Sequence, residues 1–136
     1  MTPRALVVED VEDTRTMLAD LLRHEGWQAD TAADGAEAVG RFWLAVGEGR
    51  PYKFIVLDLA MAPVDGFTAA KEIRRAEQEG HAPPAFLLGF TGYREDVLSP
   101  AALKTARFDA LMEKPGDPAE IKRIAAEVMG CGGGRD

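Results

Sequence analysis

Four short apolar runs in this sequence each end beside a residue that can do chemistry. Ala5–Val8 leads into Glu9-Asp10, Phe54–Leu57 into Asp58, Ala85–Phe90 into Thr91-Gly92, and the weaker run Phe108–Met112 into Lys114-Pro115. A carboxylate is costly in an apolar interior unless its charge is compensated, so Asp58 at the end of an apolar run needs a reason. If the run ends meet, three carboxylates, one hydroxyl and one ammonium share an edge. Adjacent acids repel one another unless a cation joins them. An all-oxygen ligand set suits a hard cation, and magnesium is the usual one where phosphate is handled. Thr91 and Lys114 then remain to hold phosphoryl oxygens, by hydrogen bond and by charge. Asp58 is the candidate nucleophile, because a carboxylate can accept a phosphoryl group as an acyl phosphate. Singly, each residue has an ordinary explanation: Asp10 or Asp13 capping a helix, Asp58 capping the approach to the next, Thr91-Gly92 a turn, Lys114 a solvated side chain. Their joint placement at four run ends favours the chemistry.

The elements that would bring these ends together are legible. The apolar runs do not alternate in polarity, which suits strands buried on both faces of a parallel sheet. A more polar stretch, Gln28–Ala32, is a fifth strand candidate. Between them lie segments of helical spacing. Met17, Leu18, Leu21 and Leu22 line the first, which stops at Gly26. Asp34 with Glu37 opens the second as a capping box, and Phe67, Ala70 and Ile73 mark the third. Ser99-Pro100 starts a fourth, and Asp117-Pro118 caps a last helix carrying Ile121, Ile124, Ala125 and Val128. Strand and helix alternate five times. This predicts an α/β fold, a doubly wound five-stranded parallel sheet with helices on both faces. In such sheets ligands bind beyond the carboxyl ends of the strands.

Bulk properties bound the rest. The 136 residues suit one domain, expected over 1–129, with the glycine-rich 130–136 a flexible tail. A net charge of −7 argues against a nucleic-acid surface. Cys131 is the one cysteine, so no internal disulfide or thiolate metal site is available. MTPRALVVEDVED lacks the apolar stretch of a signal peptide and no run approaches membrane length, so a cytoplasmic protein is expected. His24 and His81 read as solvated surface residues.

The stretches LVVEDVEDTRTML (6–18), IVLDLAMAPVDG (55–66), FTG (90–92) and MEKP (112–115) resemble the receiver domain of bacterial two-component response regulators, from Arg4 to about Met129. The resemblance implies the flavodoxin-like (βα)5 receiver fold. It implies direct magnesium binding by Asp10, a mainly water-mediated role for Glu9, and a metal-binding backbone carbonyl at Ala60. It makes Asp58 the phosphoacceptor, Thr91 the phosphoryl-binding hydroxyl and Lys114 the phosphoryl-binding lysine, with a cis peptide before Pro115. The partners implied are a sensor histidine kinase or histidine phosphotransfer protein as donor, and a downstream protein target. The implied protein is a monomer or weak homodimer with no separate enzymatic turnover.

The sequence also departs from the family pattern. Pro63 is displaced by one residue, Leu111 replaces a common aromatic, and Arg107 replaces a common glycine. Tyr93, two residues after Thr91, flanks the expected approach of water. An aspartyl-phosphate phosphatase would need a second aspartate where Ala60 stands, and no hydroxyl-rich loop supports a flavin site. The remaining alternative is a receiver-like interaction module that works without phosphorylation.

Overall fold

The computed structural model describes residues 2–59, 66–91, 107–113 and 116–134, with the backbone alone at Thr91 and 131–134. Ala60, Tyr93, the helix expected from Ser99-Pro100, Lys114 and Pro115 lie outside the described residues. The elements are β1 (Arg4–Val8), α1 (Glu12–His24), β2 (Gln28–Ala32), α2 (Gly35–Gly47), β3 (Phe54–Asp58), α3 (Gly66–Gln78), β4 (Phe86–Thr91), β5 (Ala110–Glu113) and α4 (Pro118–Gly134). The five strands form one parallel sheet in the order β2-β1-β3-β4-β5. This is the doubly wound, flavodoxin-like arrangement expected from the alternation.

Strand side chains point alternately to two cores. Leu6, Val8, Ile55, Leu57 and Leu87 pack against α2 and α3 through Ala38, Phe42, Ala70 and Ile73. Ala5, Val7, Phe54, Val56 and Leu88 pack on the other face against α1 and α4 through Leu18, Leu22, Ile121 and Ala125. Burial on both faces is why the central strands read as unbroken apolar runs.

Helix starts follow their caps. The Asp34 side chain accepts from the Glu37 N–H at 2.8 Å, and Glu37 Oε1 accepts from the Ala33 N–H at 2.9 Å, one residue outside the usual box partner. Asp117 Oδ1 accepts from the Ala119 N–H at the start of α4.

Some boundaries and faces differ from the sequence reading. Met17 is 42% exposed, because Ala19 takes its place in the buried face of α1. Phe108 precedes β5 and packs with the α2–α3 core. The α4 backbone continues to Gly134, past Met129; once a helix is nucleated by docking, each further residue needs only one added hydrogen bond. Arg107 has φ +53°, the left-handed conformation that glycine would adopt more cheaply. His24 and His81 are exposed, His81 lying edge-on to Trp43 at 5.3 Å.

The opposite end of the sheet is tied by a charge network absent from the sequence reading. Arg4 Nη2 meets Asp30 Oδ2 at 2.8 Å, the Tyr52 hydroxyl donates to the same oxygen at 2.7 Å, and the Arg4 guanidinium lies over the Tyr52 ring. Burial works to raise the Asp30 carboxyl, but hydrogen bonds from Tyr52 and Arg4 outweigh it and hold it below its ordinary value. Burial and the bond to Asp30 push the Tyr52 phenol up. A depressed carboxyl stabilises the fold wherever the unfolded aspartate is ionised, and that contribution vanishes as pH falls through the folded value. Asp30→Asn is therefore expected to cost about 1–2 kcal/mol at neutral pH. In urea unfolding over a pH series, the gap to wild type should close in acid; a gap independent of pH would contradict the assignment.

Candidate functional site

β1 and β3 are neighbours with Val8 opposite Leu57, so the residues that follow, Glu9 and Asp58, leave the sheet side by side. This is also where the strand order reverses: β1 is followed on one side by β2 and on the other by β3, opening a crevice at the carboxyl edge. Asp58 is the last residue of β3, and the Leu59 N–H beyond it donates to the Phe90 carbonyl of the next strand at 2.9 Å. Both carboxylates are buried, Glu9 at 1% and Asp58 at 3% exposure, while Asp10 is exposed. Carboxylate oxygens of Glu9, Asp10 and Asp58 lie within 4.8 Å of one another.

The loop that carries the first two acids is held by its own backbone. The Val11 N–H donates to Glu9 Oε2 at 3.1 Å, and Arg15 Nη1 donates to the Glu9 carbonyl at 2.9 Å. The N-cap of α1 is Val11, with no side-chain cap bond. Neither Asp10 nor Asp13 therefore caps that helix, and Asp58 belongs to a strand.

Two ionised carboxylates at this separation repel by about 3 kcal/mol at an effective dielectric of ~20. A divalent cation between them turns that repulsion into attraction, and three carboxylates with no nitrogen or sulfur ligand suit a hard one. The donor set thus fits a metal of the magnesium type.

Gly66, the last residue of the IVLDLAMAPVDG stretch, packs against the backbone that presents Asp58. A Cβ there would stand 2.3 Å from the Asp58 carbonyl oxygen and 3.0 Å from the Leu59 Cα. The first turn of α3 thus packs directly on the backbone that presents Asp58. The signal was the Asp65-Gly66 pair itself, which marks a turn and a close approach equally well. Thr91 ends β4 and pairs with Glu113 of β5, so both strands deliver their ends to the same edge as Asp58. Leu111, which stands in place of the common aromatic, is 38% exposed and packs over Gly89 of β4.

Comparison with known proteins gives a consistent result. The family model described as "Response regulator receiver domain" matches residues 5–126. A 14.6 kDa protein from the sodA1 3′ region of Leptolyngbya boryana is 34% identical over 90% of this chain and 86% of its own length. Hybrid signal transduction histidine kinase L of Dictyostelium discoideum is 30% identical over 89% of this chain, which spans only 7% of that kinase. Among solved structures, the response regulator TrrA of Thermotoga maritima, determined in complex with Mg2+-BeF, is 27% identical with a TM-score of 0.74, covering 93% of this chain and 98% of its own.

Proposed function

This chain belongs to the response regulator receiver domain family, whose members are phosphoryl-accepting signalling domains, and on that premise we propose that its acceptor is Asp58. The observation that carries the proposal is the meeting of Glu9, Asp10 and Asp58 at the carboxyl edge, with Asp58 buried at the end of a central strand. The donor is a phosphohistidine on a sensor histidine kinase or histidine phosphotransfer protein. An Asp58 carboxylate oxygen attacks phosphorus, the P–N bond breaks with its electron pair left on the imidazole nitrogen, and that nitrogen takes a proton from solvent. Rigid presentation of the nucleophile and charge neutralisation supply most of the catalysis in such transfers.

Magnesium, held by Asp10, Asp58, the Ala60 carbonyl and, through water, Glu9, would supply the charge neutralisation. Its presence in the TrrA complex supports this choice of metal. Thr91 and Lys114 take the phosphoryl oxygens, one by a hydrogen bond and the other as a point charge. The receiver domain spans 1–129, with 130–136 a tail. The protein acts in the cytoplasm as a monomer or weak homodimer, by contact with a downstream protein and without separate turnover. No helix among the described residues is long and apolar enough to cross a membrane. An interaction module that dispenses with phosphorylation would have no need of three converging acids.

Lys114→Ala separates metal from phosphoryl binding. An ammonium ligates no cation, so magnesium affinity by calorimetry should stay within about twofold of wild type. Phosphorylation by a small-molecule phosphodonor should slow by on the order of 100-fold, as when a charge-stabilising donor is removed. A parallel collapse of magnesium affinity would contradict these roles.

A further inference from the structure

Arg74 on α3 is 7% exposed, and its partners Ala85, Arg107 and Asp109 stand just before β4 and β5, at the end of the sheet away from the acids. We propose that Arg74, acting through Asp109, is a positioning residue that pins β5 in register and so sets where the carboxyl end of that strand, Glu113, stands relative to Asp58. The functional part of this proposal rests on Lys114 being the phosphoryl-binding cation.

All five Arg74 N–H groups have an acceptor. Nε and Nη2 donate to the Arg107 carbonyl at 3.1 and 2.8 Å, and Nη2 also donates to Asp109 Oδ2 at 2.8 Å. Nη1 donates to the Ala85 carbonyl at 2.9 Å and to Glu77 Oε1 at 2.8 Å. A fully satisfied guanidinium is compatible with burial, whereas any lost partner would leave a buried donor unpaired. Fastening α3 to the sheet does not require this, because Ala69, Ala70, Ile73 and Ala76 already bury the helix face. What the clamp adds is a connection from α3 to the start of β4 and to the turn that enters β5.

β5 is the strand in need of it. It has four residues at an edge of the sheet; Ala110 and Met112 are only partly buried, and Leu111 and Glu113 are exposed. Hydrophobic burial specifies register weakly in such a strand. A slip of two residues would keep the same faces while moving the carboxyl end of β5 by about 7 Å. Asp109 opposes that slip. Its Oδ2 accepts from the Leu87 N–H at 2.8 Å as well as from Arg74, and its own N–H donates to the Leu87 carbonyl at 3.0 Å. Residue 109 is thereby locked opposite Leu87, and the pairing Leu88 with Ala110 follows. The two bonds to the Arg107 carbonyl hold the left-handed turn just before it.

The test uses Asp109→Ala and Arg74→Lys, assayed well below their unfolding midpoints. Glu9, Asp10 and Asp58 lie at the ends of β1 and β3, so magnesium affinity should stay within about twofold of wild type. The phosphorylation rate at saturating magnesium should fall by about tenfold or more, as small misplacements of a charged group do. Amides of residues 110–113 should lose hydrogen-exchange protection while those of β1 and β3 keep theirs. Asp109→Asn, which retains an acceptor for the Leu87 N–H, should show a smaller loss. Wild-type rate with unchanged β5 protection overturns the proposal, and so does a parallel fall of rate and magnesium affinity, which marks general loosening. If wild type accepts no phosphoryl group, the reading of Lys114 fails instead. Hydrogen exchange then judges the pin alone: loss confined to β5 supports it, and uniform or absent loss overturns it.

Discussion

Treated with a small-molecule phosphodonor in magnesium buffer, the wild-type protein is expected to gain one phosphoryl group by intact mass, and Asp58→Asn none. The effect is all or nothing because the amide is no nucleophile, and Glu9 and Asp10 are expected to be committed to the metal. Chelation should block wild type equally. The same variant has a second signature that needs no donor. Glu9 and Asp58 are both buried with carboxylate oxygens within 4.8 Å, so replacing one carboxylate by an amide removes a like-charge contact, and Asp58→Asn should raise stability by on the order of 1 kcal/mol in chelator. With magnesium at about 100 times its dissociation constant, wild type gains about 2.7 kcal/mol from ligand binding to the folded state alone. Asp58→Asn should lose most of that gain. Phosphorylation of Asp58→Asn at another residue, or equal stabilisation of both proteins by magnesium, would sink the assignment.

The largest expected effect on folding comes from a single methyl group. Gly66→Ala would ordinarily favour a helix, by up to about 1 kcal/mol. Here the added Cβ meets the Asp58 carbonyl oxygen at 2.3 Å, with the Asp58 carbonyl carbon and Leu59 Cα at 3.0 Å. Asp58 ends β3 paired with Phe90 of β4, and the Leu59 N–H is bonded to the Phe90 carbonyl, so these backbone atoms cannot yield as a flexible side chain would. Relief requires α3 to move off the sheet, breaking its contacts through Ala69, Ala70 and Ile73. The net cost should be about 3 kcal/mol, at the upper end for overpacking, with a matching fall in the urea midpoint. Because the clash is with the residue that presents the carboxylate, magnesium affinity should fall as well. Unchanged or increased stability would mean that helix propensity outweighs the clash and that the close approach is relaxed in solution.

The two variants probe different links between sequence and function. Asp58→Asn alters a chemical group that its position after an apolar run singles out in the sequence. Gly66→Ala alters only the space around it, which no residue pattern displays. Arg74 resembles Gly66 in this respect. An arginine among the helical positions of α3 reads as a surface charge, and only folding places it against the Arg107 carbonyl and Asp109.

By itself, the sequence determined the alternation of strands and helices, the inward faces of α3 and α4, and the acids that would meet. These follow from local rules: period of hydrophobicity, caps, and the absence of alternation in strands covered on both sides. Asp34 and Asp117 were legible as caps for the same reason, since a cap bonds to residues two or three positions away. Tertiary structure decided what depends on approach between distant segments. It exposed Met17 and buried Ala19, because packing against the sheet selects the stripe of α1 that faces it. It brought Glu9, Asp10 and Asp58 within 4.8 Å and left Asp10 out of any capping role. It put Arg4, Asp30 and Tyr52 into one network across three segments. It also required Gly66 where the first turn of α3 meets the end of β3. Residue types and short spacings encode what each segment can do, while distances between segments exist only once the two cores have closed.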